Sequence, residues 1–278
     1  MAELGEKMKE YENECFGKLV LDDSKPFVIR LDGHRFSKFT SHFKKPFDER
    51  IFTAMLYTTK DLMEEFLPTT AYTASDEITL IFPPLTNEEK EKGAHLIYNG
   101  RIQKILSLTS GLCSVRFSQH IANQQFDPTR EATVLSKLGY QSFDSRIFNV
   151  PSMEEALNNL IWRVSDIRRN SVTNLGQCSF AQNVLTGLSS MEIRKKLVEI
   201  GKPWEDMPKA YRYGVLLKKC LVSTEAVNPK TNQKVVVQRS KVCYASVTEA
   251  DLEQPSVLRL LSEKHILLPQ DFDFKFVI

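Results

Sequence analysis

Two short stretches combine carboxylates with the chain geometry that metal-assisted phosphate chemistry needs. The first, residues 27–39, reads FVIRLDGHRFSKF. Phe27, Val28, Ile29 and Leu31 make an apolar, β-branched run, which predicts a buried strand. Asp32 stands at its end and Gly33 breaks it. The carboxylate offers hard oxygen charge to a cation, and the glycine lets backbone groups approach a ligand closely. His34, Arg35, Phe36, Lys38 and Phe39 follow, a basic and aromatic set suited to holding a phosphate and stacking on a base. The second stretch, AYTASDEITLIF at residues 71–82, places Ser75, Asp76 and Glu77 between two extended runs with no glycine or asparagine turn pair. It reads as a hairpin with an acidic tip or as a strand interrupted by a bulge. Two acidic strand ends side by side would clamp two Mg²⁺ ions roughly 3.5–4 Å apart, the arrangement that serves phosphoryl and nucleotidyl transfer. An aspartate before glycine is also an ordinary turn residue. The pairing of two such ends is what favours chemistry over turn geometry.

The elements that position these residues follow from periodicity. After the first strand, residues 47–66 carry apolar side chains mostly at helical spacing, and Pro68 ends the pattern. Strand, helix and hairpin in that order resemble the palm of a polymerase. Thr86-x-x-Glu89 is a capping box that predicts a helix continuing, with a break near Gly93, towards Leu112. Residues 121–142 are polar and read as a loop or variable insertion. Residues 143–148 predict another strand, with Asp144 and Arg146 on one face. Ser152-x-x-Glu155 then opens a helix through Trp162. On it Arg163, Asp166 and Asn170 fall at i, i+3 and i+7, and Arg168 and Arg169 add charge. From spacing alone this is an exposed, salt-bridged face. Ser189-x-x-Glu192 starts one more helix that Gly201 closes, and residues 211–221 and 234–244 predict strands around the turn-rich NPKTNQ. The basic residues Lys209, Arg212, Lys218 and Lys219 read as a solvated face. The alternating tail DFDFKFVI predicts an edge strand or an interface. Residues 3–14 predict a charged helix with Leu4, Met8 and Tyr11 on one side.

Composition bounds the rest. The 278 residues carry a net charge of only +2, so any RNA binding rests on local basic patches. The five cysteines form no CxxC pair, which argues against a zinc site or a disulfide framework. No apolar run approaches membrane-spanning length and no signal-peptide core opens the chain, so a cytoplasmic protein is expected. The fold expected is α/β (α+β). A polymerase-like palm with an antiparallel sheet packed by helices takes residues 1–140. A C-terminal helical and hairpin region with an RNA-binding surface takes 141–278.

The motifs RLDGHRFSKF and SDEITLIF resemble those of the tRNA(His) guanylyltransferase superfamily, which adds nucleotides to RNA 5′ ends in the 3′–5′ direction. LGEKMKEYEN, FKKPFDE, FDSRIFNVPS and WRVSDIRRNS are similar to that family as well, in the same order, from Leu4 to Tyr213. Enzymes that place the extra guanosine on histidine tRNA carry histidine–isoleucine–asparagine–asparagine in one stretch. This chain has Ile167-Arg168-Arg169-Asn170-Ser171 there, which resembles the guanylyltransferase-like branch that copies a template.

The resemblance implies roles. Asp32, Asp76 and, with less claim, Glu77 are the catalytic carboxylates. Asp32, Asp76 and the Gly33 carbonyl hold two Mg²⁺ ions. Asp32, Gly33, His34, Arg35, Phe36, Ser37, Lys45, Ser75 and Asp76 bind the nucleotide, with Phe36 facing the base and Lys45 the triphosphate. Arg163, Asp166, Arg168, Arg169 and Asn170 meet the tRNA. ATP and GTP or other nucleoside triphosphates are substrates, 5′-truncated tRNA is the partner, and a homotetramer is expected. The alternative readings are a tRNA(His) guanylyltransferase adding one 5′ G, a nucleotide cyclase, and an inactive tRNA-binding protein.

Overall fold

The computed structural model describes residues 6–8, 11, 19–227, 232–267 and 273–277. The helix expected at 3–14 and the centre of the hairpin turn at 228–231 lie mostly outside that set. The strands are β1 (Phe27–Gly33), β2 (Thr70–Ala74), β3 (Glu77–Phe82), β4 (Phe143–Asn149), β5 (Val215–Val227), β6 (Lys234–Ala245), β7 (Ile266–Leu267) and β8 (Lys275–Phe276). The principal helices are α1 (Glu49–Phe66), α2 (Ile102–Ala122), α3 (Met153–Gln177), α4 (Ser190–Glu199), α5 (Lys209–Tyr213) and α6 (Ser256–Ser262).

The strands join one sheet in the order β4-β1-β3-β2-β5-β6-β8, antiparallel at each step, with β7 parallel to the far part of β5. β4 and β5 come from beyond residue 140, so the sheet is continuous across the 140/141 boundary. Helices cover both faces. Phe27, Ile29, Leu31, Ile78 and Leu80 pack with side chains of α1 and α2. Val28, Tyr72, Ile81 and Leu216 pack with α3 and α6. Coverage on both sides is why β1 reads as a nearly unbroken apolar run. A third cluster joins the end of α3 to α4 around Trp204.

Local signals set several boundaries. Asp48 caps α1 by accepting from Arg50 N at 3.0 Å, and its other oxygen accepts from Lys44 N. The capping boxes at Thr86 and Ser189 both form. The tail reaches the sheet as the edge strand β8, paired at Cys243 and Tyr244. Two expectations differ. The break expected near Gly93 is present but longer than a kink: the helix opened at Thr86 stops at Glu91, and α2 begins afresh at Ile102. Between them residues 19–21 take backbone partners that a continuous helix would use: Leu21 N donates to Gly100 O and Ile102 N to Leu19 O. Residues 211–213 close the helix α5 instead of opening a strand. Gly214, at φ 72°, then turns the chain into β5, and a Cβ there would come within 2.5 Å of the Tyr72 hydroxyl oxygen.

Lys218 is a further difference. It is fully buried rather than solvated, and its ammonium donates to Thr69 O (2.6 Å), Thr70 Oγ1 (3.2 Å) and Glu263 O. Burial pulls it down to about 7. The unfolded chain therefore binds more protons between about pH 7 and pH 10.5, and stability rises with pH across that window. Against Lys218→Met, wild-type protein is expected to gain roughly 1–3 kcal/mol between pH 7 and 9.5, read from urea melts at each pH. Parallel pH profiles for the two proteins would contradict this.

Candidate active site

β1 and the β2–β3 hairpin bring the two acidic stretches together. The hairpin form of the second stretch is the one observed: Ser75 and Asp76 make a two-residue turn between β2 and β3. Ser75 takes the positive φ of 54° that such a turn requires, a conformation usually left to glycine. Gly33 N donates to Asp76 O at 3.1 Å and fixes the turn against the end of β1. A Cβ on Gly33 would lie 2.6 Å from Phe36 Cδ2 and 3.0 Å from the Asp76 Cβ, so only glycine allows this approach. Asp32 faces Glu77 across the ladder, one residue from Asp76.

The electrostatics follow from this proximity. Burial, and then the charge of Asp32, push the Asp76 carboxyl up to about 6, while the Ser75 side chain opposes the shift. Two carboxylates crowded in one partly buried place favour a cation. Among the described residues no group of three or more His, Cys, Asp or Glu surrounds a metal position. A pair of carboxylates fits Mg²⁺, which keeps waters and phosphate oxygens in its shell and is held by one or two protein carboxylates.

Glu77 has its carboxylate already engaged. Arg30 Nη2 lies 3.1 Å from Oε1, and Arg163 Nη2 lies 2.7 Å from Oε1 and 2.6 Å from Oε2. Asp166 joins the cluster at 3.2 Å from Arg163. The guanidinium groups of Arg163 and Arg30 also lie 4.6 and 5.9 Å from the ring centre of Trp162.

The expected nucleotide residues occupy the loop after β1. His34, Arg35 and Ser37 are exposed, and Arg35 adopts φ 52°. Phe36 is a correction in part: its ring is only 6% exposed and sits among Phe39, Phe117 and Phe143. Its burial gives it to the core, with an edge left to line a cavity. That cavity, of about 380 Å³, is walled by Phe36, Lys45, Ser75, Asn170, Asn174 and Tyr211 among others. Lys45 Nζ lies 3.3 Å from Thr40 Oγ1.

α3 corrects the expected tRNA face. Arg163 is 2% exposed and has no surface to offer an RNA. Its face points inward because β1 and β3 supply Arg30 and Glu77 beneath it. Asp166 is spent on Arg163, Arg169 and Asn170. Arg168 is half-buried on Glu249 at 2.7 Å, and Arg169 remains exposed. Asn170 lines the cavity beside Lys45 instead of standing apart from the nucleotide residues. Asn174 and Gln177 line it too, and Tyr211 Oη lies 3.0 Å from Asn174 Oδ1. Sequence reasoning passed over these three. The polar spacing Asn170, Asn174, Gln177, at i, i+4 and i+7, was the available signal.

Comparison with known proteins agrees with this architecture. Residues 5–151 match the family model described as tRNAHis guanylyltransferase. The chain is 32% identical to "Uncharacterized protein R259" of Acanthamoeba polyphaga mimivirus, covering 98% of this chain and 93% of that one. It is 30% identical to the "Probable tRNA(His) guanylyltransferase" of Drosophila melanogaster, over 75% of this chain and 71% of the relative. Among solved structures, a "Bacterial tRNA(HIS) Guanylyltransferase (Thg1)-Like Protein in complex with ATP" superposes with a TM-score of 0.66 at 25% identity, covering 84% of this chain and 91% of the other. The GTP complex of such a protein superposes at 0.63 with 23% identity, covering 93% and 99%, a likeness of fold.

Proposed function

Because the chain belongs to the tRNA(His) guanylyltransferase family, and is thereby a nucleotidyltransferase, we propose that it extends the 5′ end of truncated tRNA by template-directed 3′–5′ addition. The observation that carries the chemistry is the interacting Asp32–Asp76 pair, next in the turn to Ser75, which lines a cavity together with Lys45 and Asn170. The departure Ile167-Arg168-Arg169-Asn170-Ser171 supports copying a template over adding one fixed G. The RNA 5′-monophosphate is first activated with ATP, or with GTP. That activation joins the nucleoside monophosphate to the RNA 5′-phosphate and releases pyrophosphate. The 3′-hydroxyl of an incoming nucleoside triphosphate then attacks the RNA 5′-phosphorus, loses its proton, and expels the nucleoside monophosphate. Pyrophosphate is removed when no further addition is favoured.

The residues divide this work. Asp32, Asp76 and the Gly33 carbonyl would hold two Mg²⁺ ions, which when bound supply Lewis-acid activation and neutralise phosphate charge. Lys45 places a cation where a triphosphate enters the cavity, and Asn170 and Asn174 offer amides to a base or ribose. The exposed Arg169, with the half-buried Arg168 beside it, would offer charge to the RNA backbone. Assembly as a cytoplasmic homotetramer belongs to the same proposal, and the exposed Leu108 and Val115 on α2 offer apolar area for it. The second reading, addition of a single 5′ G, is favoured by the likeness to the Drosophila melanogaster protein described as a probable tRNA(His) guanylyltransferase.

An extension assay tests the proposal. Protein meets 5′-monophosphorylated tRNA lacking its first nucleotide, with ATP, Mg²⁺ and each nucleoside triphosphate in turn. Addition only of the nucleotide complementary to the opposing base is expected. G added whatever base lies opposite would establish the second reading, and no addition to any tRNA would sink both.

A further inference from the structure

A second charged surface lies at the end of the sheet remote from the Ser75–Asp76 turn. β2 pairs with β5 from Thr73 opposite Val215 to Thr70 opposite Lys218, and Lys219 is the next residue outward. At roughly 3.4 Å per residue, the length of β2 separates it from the turn by about 17 Å. The β5–β7 register sets Ile266 beside Cys220, which brings His265 alongside Lys219. Lys60 and Glu64, from the last turns of α1, join Lys219, Ser240 and Lys241 around an open groove of about 560 Å³. Phe276 completes one wall, with Lys241 Nζ 5.4 Å from its ring centre.

The groove is short of negative charge. Among the described residues that line it, the one carboxylate, Glu64, is bonded to Lys60 at 3.0 Å. Among the described residues, none of Lys219, Lys241 and Lys264 has a carboxylate within 4.0 Å, whereas Lys25, Lys90 and Lys92 elsewhere are all paired. The cations also act on one another. Burial and Lys264 hold the Lys219 ammonium below its ordinary value against the opposing pull of Glu64, and burial with Lys264, Lys219 and Lys218 does the same to His265. Uncompensated like charge works against folding unless an anion offsets it. In a chain of net charge +2, this is the local basic field that a polyanion requires.

We propose that this groove binds the phosphodiester backbone of RNA, a second contact about 17 Å from the site of addition. The inference rests on RNA being the substrate. Lys60, Lys219 and Lys241 line an open groove with a hydroxyl and apolar walls, instead of converging in a closed cradle, and Lys264 adds its charge from outside the lining through its effect on Lys219. That geometry suits successive phosphates of a strand more than one free triphosphate.

The test is the triple variant Lys219→Gln, Lys241→Gln, Lys264→Gln, with 5′-truncated tRNA binding measured by filter retention across salt concentrations. Affinity at 0.1 M salt is expected to fall roughly 10–100-fold, and the slope of log K against log salt to shrink by about two to three. Affinity for a nucleoside triphosphate and the addition rate at saturating tRNA are expected to stay at wild-type values. Unchanged affinity and slope would overturn the proposal. So would loss of triphosphate affinity in place of tRNA affinity, which would make the groove a nucleotide site. Removing like charge is expected to leave Tm equal or higher. Should the triple variant unfold, the exposed single changes Lys241→Gln and Lys264→Gln carry the test, each removing about one unit of slope. Wild-type protein that binds tRNA with this salt dependence but adds no nucleotide would sink the proposed reaction and leave the groove standing. A variant with the wild-type slope, beside wild-type protein that extends tRNA, would do the reverse.

Discussion

Replacing Asp76 with asparagine is expected to stop nucleotide addition and to leave the protein at least as heat-stable as before. The loss should be on the order of 10³-fold or more, because the variant removes one of the two carboxylates proposed to hold the metal ions. Stability moves the other way for a separate reason. Asp76 sits at the tip of a hairpin, tied there by its backbone carbonyl, which accepts from Gly33 N and survives the substitution. Its side-chain charge is unfavourable where it stands, pushed up to about 6 by burial and by Asp32. The folded chain thus holds a proton between about pH 4 and pH 6 that the unfolded chain has released. Without Mg²⁺, stability falls as pH rises through that window. The asparagine variant lacks that decline, so its Tm in EDTA at pH 7 should equal or exceed that of wild type by a few degrees. Single-turnover extension and thermal melts measure the two effects separately. Activity within tenfold of wild type would remove Asp76 from the metal site, and a clear drop in Tm would make it a structural residue.

Arg163→Met is expected to be the most destabilising single change around the β4-β1-β3-β2 half of the sheet. The guanidinium is 2% exposed and lies against both oxygens of Glu77 and one of Asp166. Its removal leaves Glu77 with Arg30 alone and Asp166 with the exposed Arg169, and breaking a buried pair this way costs about 3–5 kcal/mol. For a chain of this size that is a fall in Tm of roughly 6–20 °C. Glu77→Met alone should cost a similar amount, and the double variant should recover much of it, since the strong loss is that of one uncompensated charge. Urea melts of the four proteins give the coupling directly. A cost below about 1 kcal/mol for Arg163→Met would mean that α3 is held by packing alone. Triphosphate and tRNA binding should weaken together in this variant, because the side chain supports the turn rather than touching the RNA.

These two positions mark how far the sequence could be read. Asp32, Gly33 and Asp76 were legible because each belongs to a local signal: an apolar run ending in a carboxylate, a glycine stop, an acidic triplet between extended runs. The caps at Thr86 and Ser189 were legible for the same reason. Arg163 was not. Spacing at i, i+3 and i+7 tells which residues share a helix face, and says nothing about what lies over it. The covering residues, Arg30 and Glu77, come from strands 86 or more positions earlier in the chain. Lys218 fails in the same way. A lysine in a strand reads as solvated, and the acceptors that receive it stand at residues 69, 70 and 263. The pairing of Asn170 with Lys45 in one cavity is also non-local. It depends on how α3 crosses the hairpin, which no spacing rule contains.

The uninterrupted sheet has a consequence for how this protein can change. β1 lies between β3 and β4, and β2 between β3 and β5, so two of the three strands around the Ser75–Asp76 turn each lean on a neighbour from the later half. A fragment ending near residue 140 would bare two long raw edges, the kind of surface that aggregates. The first half therefore cannot be lifted out as a transplantable cassette. Insertions and losses are tolerated only at the rim, in the 123–142 connection or along the β5–β6 arm. Diversification of such a chain proceeds by re-tailoring its periphery, with the centre inherited whole.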